Sequence, residues 1–109
     1  TLFSCFYSAK SWETHPFHHR NNVNGVGDCA WNEALSLREP RLTAFMDAYV
    51  RRVAAELRGF DNVYFEICNE PYIGGVDMQW HDHVADVLAA ALKPGPGERA
   101  ANLSAVHPT

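Results

Sequence analysis

The chain has 109 residues, of which 47% are hydrophobic and 20% charged, a composition typical of a globular protein and not of a disordered or fibrous one. With a net charge of -4 and no basic stripe, we expect neither nucleic acid nor an anionic membrane surface as a partner. No apolar run approaches the roughly 20 residues that span a bilayer, and the cellular compartment is not readable. The cysteines Cys5, Cys29 and Cys68 are odd in number and widely spaced, which favours buried free thiols over disulfides.

The first predicted element is a buried strand, because residues Leu2–Tyr7 form a short apolar and aromatic run. The segment from Ser11 to Arg38 has no periodicity and is rich in His, Asn, Gly and Trp. Connections of more than about 12 to 15 residues are usually functional or disordered, and the aromatic residues argue against disorder. We therefore interpret residues 11–38, called the long loop below, as a binding loop.

Two amphipathic helices and a second strand follow the long loop. Apolar residues at i, i+3, i+4 spacing predict a helix from Pro40 to Arg58. The β-branched and aromatic run that starts at Val63 predicts a strand, which Pro71 stops. A second helix is predicted from an N-cap at Asp77 to Leu92, and residues 102–106 can begin a third strand.

Strands that alternate with amphipathic helices predict an α/β fold built from βαβ units with a parallel sheet. Two or three parallel strands leave open sheet edges and cannot bury both faces of a sheet. A complete (β/α)8 barrel needs about 250 residues, so this chain can supply two βα units and the start of a third. We therefore expect residues 1–109 to be a fragment of a single barrel domain.

The most informative motif is Asn69-Glu70-Pro71, which places a carboxyl group at the end of the second predicted strand. In parallel α/β folds, the carboxyl ends of the strands carry the chemistry. Together with the preceding Phe65–Cys68, the motif resembles the fourth-strand signature of the retaining glycoside hydrolases with (β/α)8 TIM barrels, the clan that includes cellulases, mannanases and β-galactosidases. The resemblance covers nearly the whole chain and implies strands 3 and 4 with their helices, and the start of strand 5.

The resemblance implies cleavage of a β-linked oligosaccharide or polysaccharide by double displacement, without a cofactor. Glu70 would be the acid/base, and its pKa would have to be raised toward neutrality. Asn69 would hydrogen-bond the sugar 2-hydroxyl, and Tyr72 would line the substrate cleft. The nucleophile, a glutamate at the end of the seventh strand in this clan, has no counterpart in this chain. The isolated chain is therefore expected to be inactive and to require the remainder of the barrel.

Aromatic and histidine side chains of the long loop are further candidates for the substrate cleft. His15 can hydrogen-bond sugar hydroxyls, and Trp12, Phe17 or Trp31 can stack on the apolar faces of sugar rings. The alternative is that these aromatic residues anchor the loop to its own barrel.

The two predicted strands carry other polar positions near the proposed site. At the end of the first strand, where many members of the clan have a histidine, this chain has Tyr7 or Ser8, and His15 can occupy that space. Glu66 shares strand parity with Glu70 but lies four residues deeper in the barrel. We expect a structural role for Glu66, with an Arg or Lys of a neighbouring strand as its partner.

Two alternatives to a metal-independent glycosidase stay open. His15, His18 and His19 crowd one loop and could bind the metal of a metal-dependent barrel hydrolase if an acid or a cysteine completed the site. His81 and His83 lie two apart on a predicted helix and face different directions, so we expect them to be surface or packing residues. The second alternative is a non-catalytic carbohydrate-binding or structural barrel.

Overall fold

Short parallel strands and two long helices make up the part of the chain that the structure describes. The computed structural model describes residues 1–94 and 106–107. In chain order the elements are β1 (Phe3–Ser4), α1 (Ala9–Glu13), α2 (Pro40–Leu57), β2 (Phe65–Glu66), β3 (Cys68–Asn69), α3 (Met78–Ala91) and β4 (Val106–His107), with one turn of 3-10 helix at His19–Asn21. None of the helices within these ranges has the length and apolar character needed to cross a bilayer.

The strands pair in parallel, in the order that βαβ units produce. β1 pairs with β3, with Ser4 opposite Asn69, and β2 pairs with β4. Since Ile67 alone separates β2 from β3, the segment 65–69 has one parallel neighbour from earlier in the chain and one from later. The described residues therefore contain parallel strand pairs, while the fragment of a (β/α)8 barrel stays a prediction.

The two long helices lie where the sequence predicts them. α2 begins with Pro40, whose fixed φ suits the first turn, and ends at Leu57, one residue before the predicted end. α3 is capped by Asp77, whose carboxylate accepts a backbone N–H of the first turn at 2.9 Å, as predicted. Of the predicted third strand, Val106 lies in β4, and residues 102–105 lie outside the described residues.

Phe3 on β1 is the point at which the strand and both long helices meet. Its ring centroid lies 5.4 Å from that of Tyr49 on α2 and 5.1 Å from that of Trp80 on α3, both in edge-to-face geometry. The Tyr49 hydroxyl also donates to the backbone oxygen of Leu2 at 2.9 Å. Most of the other buried residues on the two long helices are apolar. They are Leu42, Met46, Val50, Ala54, Val84 and Leu88.

One polar pair joins the two helices within this apolar contact. The Nε2 atom of His83 on α3 lies 2.9 and 2.8 Å from the two carboxylate oxygens of Asp47 on α2. Asp47 is buried, as is His81. The helix histidines are therefore packing residues, one of the two roles that their spacing predicts.

A double-mutant cycle tests how strongly this pair couples the helices. We expect Asp47→Ala and His83→Ala each to lower the free energy of unfolding, and the double variant to lose less than the sum of the two. The expected coupling energy is about 1 kcal/mol, measured by urea denaturation. A coupling energy near zero would show that the pair contributes nothing to the packing of α2 on α3. The exposed pair Arg52 and Glu56, whose charged atoms are 2.9 Å apart on α2, is the matched control and should couple more weakly.

The long loop is held by its own hydrogen bonds, and part of it has regular structure. The indole nitrogen of Trp12 donates to the backbone oxygen of Cys29 at 2.8 Å. The Asn22 amide donates to the carbonyl oxygens of His18 and Val26, each at 2.9 Å, and accepts the N–H of Val26 at 3.2 Å. These side-chain bonds satisfy backbone groups that a loop would otherwise leave to water.

The end of the long loop also contacts the segment that follows Glu70. Leu35 and Val76 form an isolated parallel bridge, and the carbonyl of Leu35 accepts the N–H of Asp77 at 3.0 Å. The N-cap of α3 is therefore held by the loop that follows β1. As a result, the chain segments after β1 and β3 lie side by side at the carboxyl ends of these strands.

Gly27 and Gly25 offer a matched test of how closely the long loop packs. Both have positive φ, 83° and 68°, which disfavours any residue with a Cβ. A Cβ at Gly27 would lie 1.8 Å from the carbonyl oxygen of Phe17, whereas a Cβ at Gly25 would meet nothing within 4 Å. We expect Gly25→Ala to lower the free energy of unfolding by about 1 kcal/mol and Gly27→Ala to lower it clearly more, as measured by urea denaturation. Equal losses would show that the Phe17 carbonyl does not restrict position 27.

Candidate functional site

Glu70 follows β3 in a backbone conformation that residues with a Cβ rarely adopt. Its φ is 49°, and it is the one non-glycine residue with positive φ in the described ranges. The N–H of Ile73 donates to the Glu70 carbonyl at 3.1 Å, which closes a four-residue turn with Pro71 at its second position. Backbone outliers of this kind concentrate at functional sites, where the surrounding structure holds them.

The Glu70 carboxylate accepts one hydrogen bond on each oxygen, both from tyrosines. The hydroxyl of Tyr7, three residues after β1, donates to Oε1. The hydroxyl of Tyr72 donates to Oε2 at 3.1 Å. Tyr7 and Tyr72 are 56% and 80% exposed, so their rings border the carboxylate at the surface. The site is therefore a carboxylate between two accessible phenols at the carboxyl ends of the paired strands.

These hydrogen bonds determine the direction of the pKa shifts in the site. Donation from Tyr7, and then from Tyr72, favours the charged form of Glu70 and holds the pKa of its carboxyl below its usual value. The bond to Glu70 in turn raises the pKa of Tyr7 and of Tyr72, because each phenol is a better partner when it keeps its proton. At neutral pH the described residues therefore hold Glu70 as a carboxylate.

The lowered pKa of Glu70 is opposite to the direction that an acid/base role requires. The expected rise depended on a partly apolar pocket and on the negative charge of a nucleophile. Burial does raise the pKa, but more weakly than the tyrosine bonds lower it, and none of the causes of the shift is a second carboxylate. In the described residues the two phenol donors therefore set the direction, and the rise that an acid/base role requires from a nucleophile outside this chain stays a prediction.

Asn69 lies beside Glu70 and faces two hydroxyl groups. Its Nδ2 atom is 3.5 Å from the Ser4 hydroxyl oxygen and 3.5 Å from the Tyr7 hydroxyl oxygen. The register of β1 and β3, which sets Ser4 opposite Asn69, accounts for the first contact. Both contacts are at the long end of the hydrogen-bond range, so the amide can bind a ligand oxygen in exchange for them.

The structure brings only part of the predicted substrate-binding set together. Tyr72 lies at Glu70, as expected from its place in the turn. Trp12 is 2% exposed, and its ring packs with Phe6 at a centroid distance of 4.9 Å. This burial favours the alternative that Trp12 anchors the loop. Amino-acid composition alone could not separate these two roles.

His15 packs between aromatic rings and hydrogen-bonds within the long loop. Its ring is half-buried, with centroids 5.3 Å from Phe6 and 5.7 Å from Phe17, and its Nδ1 accepts the N–H of Phe17 at 3.1 Å. Burial lowers the pKa of His15, so its neutral form is favoured. The space that His15 was expected to occupy at the end of the first strand holds Tyr7.

The histidine-rich loop does not assemble a metal site in the part of the chain that the structure describes. In residues 1–94 and 106–107, no group of three or more His, Cys, Asp or Glu side chains has suitable geometry. The Nδ1 atom of His18 accepts the N–H of Arg20 at 3.3 Å, and His19 lies 3.5 Å from the Asp28 carboxylate. These contacts explain the histidines as parts of the loop, and the metal-dependent alternative gains no support from them.

Glu66 has a hydroxyl as its partner in place of the expected Arg or Lys. The Thr1 hydroxyl, just before β1, donates to its Oε1 at 2.6 Å. Cys68, two residues further along, is fully buried, and burial raises the pKa of its thiol to about 12. Glu66 and Glu70 were expected to face the same side of one strand. This expectation does not apply to Glu70, because the strand ends at Asn69 and Glu70 leaves the extended conformation.

Sequence reasoning placed Tyr7 near the proposed site but did not name Tyr7 or Ser4 as a partner of Glu70 or Asn69. Tyr7 stood at the end of a predicted strand, but nothing in its neighbourhood indicated a partner 63 positions away. The one available signal was the parallel pairing itself, since polar residues at the ends of neighbouring parallel strands meet at one edge.

No family model, curated protein or solved structure matches this chain. The chemistry of the site therefore follows from the side chains that meet at the ends of β1 and β3, which are Ser4, Tyr7, Asn69, Glu70 and Tyr72. They offer a carboxylate, an amide and hydroxyl groups beside exposed aromatic rings. Such a set is suited to hydrogen-bonding a polyhydroxylated ligand whose ring faces are apolar.

The backbone of Glu70 generates a prediction about stability. Glu70→Ala and Glu70→Gly both remove the carboxylate, but only glycine adopts positive φ without a steric penalty. We expect the glycine variant to melt about 4 °C higher than the alanine variant, measured by circular dichroism. If alanine melted at the same temperature or higher, the left-handed conformation at this position would carry no strain.

Proposed function

We propose that this chain is part of a retaining glycoside hydrolase with a (β/α)8 barrel, which cleaves a β-linked oligosaccharide or polysaccharide. One observation carries the proposal: Asn69 and Glu70 lie together at the carboxyl end of the extended segment 65–69, whose two short strands pair in parallel with β1 and with β4. In barrels of this kind, the substrate binds at that end of the strands. The partner is a carbohydrate, and the remainder of the barrel supplies the other half of the site.

In the proposed first step, the Glu70 carboxyl group donates its proton to the glycosidic oxygen. A nucleophilic carboxylate elsewhere in the barrel forms a bond to the anomeric carbon, and the bond to the leaving oxygen breaks. The alcohol departs with the proton, and a glycosyl ester remains. In the second step the Glu70 carboxylate removes a proton from water, whose oxygen displaces the ester and frees the sugar with its original stereochemistry.

The proposed role requires two opposing effects on Glu70. The tyrosine bonds lower its pKa, which keeps Glu70 ionised and able to accept a proton in the second step. The first step needs the protonated form, which a second carboxylate about 5 to 5.5 Å away favours through like-charge repulsion. Once the nucleophile has formed the ester, this repulsion disappears and Glu70 stays ionised, as its change of role demands.

The neighbouring side chains fit the binding of a sugar ring. The contacts of the Asn69 amide with Ser4 and Tyr7 are 3.5 Å long, so the amide can exchange them for the 2-hydroxyl group. Tyr72 is 80% exposed beside Glu70 and can border the cleft. Hydrogen bonds to the 2-hydroxyl strengthen as positive charge develops at the anomeric carbon, so Asn69 would act mainly on the transition state.

A second candidate function is carbohydrate binding without turnover. The lowered pKa of Glu70 favours it, since a carboxylate that stays ionised accepts hydrogen bonds from sugar hydroxyls without donating a proton. This candidate predicts that the full-length protein binds oligosaccharides and does not hydrolyse them, and isothermal titration calorimetry with product analysis separates the two.

The test of the acid/base role uses Glu70→Gln in the full-length protein. Loss of the acid should slow hydrolysis of β-glycosides with poor leaving groups about 100-fold, and should slow activated aryl glycosides much less, because a good leaving group departs without protonation. The measurement is kcat/KM across a series of leaving groups. Glu56→Gln, an exposed change on α2, is the control and should leave kcat/KM unchanged. Equal losses for poor and activated leaving groups would remove Glu70 from the acid/base role.

A further inference from the structure

One phenol oxygen contacts both functional candidates of the site. The Tyr7 hydroxyl donates to the Glu70 carboxylate, and the same oxygen lies 3.5 Å from Nδ2 of Asn69 as an acceptor. Tyr7 follows β1, whereas Asn69 and Glu70 belong to the end of β3 and the turn after it. The contact therefore crosses between two strands that are joined by a long loop and a helix.

We propose that Tyr7 is the positioning residue of this site, which holds the Glu70 carboxylate in place beside the Asn69 amide. The inference rests on the proposed function and adds to it a residue that the strand-end motif does not contain. Tyr7 acts through Glu70 and need not touch the reacting atoms.

The two tyrosines at Glu70 are not equivalent in what they can position. Tyr72 lies two residues from Glu70 in the same turn, so it moves with the carboxylate that it contacts. Tyr7 is attached to the neighbouring strand, whose register with β3 is set by backbone hydrogen bonds from Phe3 and Cys5. A tyrosine has few rotatable bonds, so its ring transmits the position of the strand to the carboxylate. Tyr7 is therefore the side chain that relates Glu70 to the rest of the sheet.

The hydrogen bonds at the two carboxylate oxygens of Glu70 indicate which oxygen carries the proton in the acid form. While Glu70 is ionised, each carboxylate oxygen accepts a phenol O–H. When one oxygen takes a proton, it becomes a weaker acceptor, and the hydrogen bond from its phenol weakens. Tyr72, at 80% exposure, can turn to water, whereas Tyr7 is the less exposed of the two and also contacts the Cys5 thiol. The proton is then carried on Oε2, and Tyr7 keeps its bond to Oε1 throughout.

The experiment compares Tyr7→Phe, Tyr72→Phe and Tyr64→Phe in the full-length protein. Each change removes a phenol O–H and keeps the ring, and Tyr64 is an exposed residue at the opposite end of the same strand segment. We expect Tyr7→Phe to lower kcat about tenfold with little change in KM, the loss of one hydrogen bond to a charged group. Tyr72→Phe should lower kcat by less, and Tyr64→Phe should leave it unchanged.

The dependence of kcat/KM on pH distinguishes a positioning role of Tyr7 from a purely structural one, which would leave this dependence unchanged. The basic limb of kcat/KM reports the pKa of the group that must be protonated, which is Glu70 in this proposal. Because Tyr7 stabilises the charged form, its removal raises the pKa of Glu70, and the basic limb moves to higher pH. An unmoved limb together with an unchanged kcat in Tyr7→Phe would overturn the positioning role.

A titration without substrate separates this inference from the proposed function. The carboxyl carbon of Glu70, labelled with 13C and assigned by its loss in Glu70→Gln, is followed by NMR against pH in the same variants. If the pKa of Glu70 rises in Tyr7→Phe and not in Tyr64→Phe, the positioning role of Tyr7 is supported. This holds even if the wild-type protein hydrolyses no glycoside and the proposed function fails. If the pKa of Glu70 is the same in Tyr7→Phe and in the wild-type protein, the positioning role of Tyr7 is overturned, whether or not the protein is active.

Discussion

The parallel register between β1 and β3 is the constraint on which the candidate site depends. The N–H groups of Phe3 and Cys5 donate to the carbonyls of Ile67 and Asn69 at 3.0 and 3.1 Å, and these bonds fix how far one strand lies along the other. A slip of one residue would reverse the faces of all side chains on the shifted strand. The Ser4, Tyr7 and Asn69 contacts would then be lost together. The geometry around Glu70 is thus a consequence of backbone pairing.

Packing behind the strands maintains this register. Phe3 contacts an aromatic ring on each of the two long helices, and the Asp47 and His83 side chains join these helices within 2.9 Å. A shift of β1 would withdraw the Phe3 ring from both helices and expose apolar surface, which is unfavourable in proportion to the area. The long loop adds a further restraint, since Leu35 pairs with Val76 beyond the turn. Core, loop and site therefore constrain the same two strands.

The sequence predicted the local features well, and it missed contacts between distant residues. The bounds of α2 and the Asp77 cap of α3 follow from periodicity and capping chemistry, which act within a few residues. The bond between Tyr7 and Glu70 spans 63 positions and depends on the strand register, which no local pattern encodes. The buried position of Trp12 was equally unreadable, because an aromatic residue in a loop suits a core as well as a ligand platform.

The charge of Glu70 connects the fold to the choice between the two candidate functions. Two phenols favour the carboxylate, and the strand geometry that places Tyr7 makes this preference a property of the fold. A carboxylate held this way stays ionised and accepts hydrogen bonds, but it carries no proton to donate at neutral pH until another negative charge raises its pKa. Catalysis by double displacement needs both states in turn. In the two proposed functions, Tyr7 and Tyr72 would therefore support binding when they act alone, and would support the deglycosylation step when a nucleophile supplies and then withdraws the opposing charge.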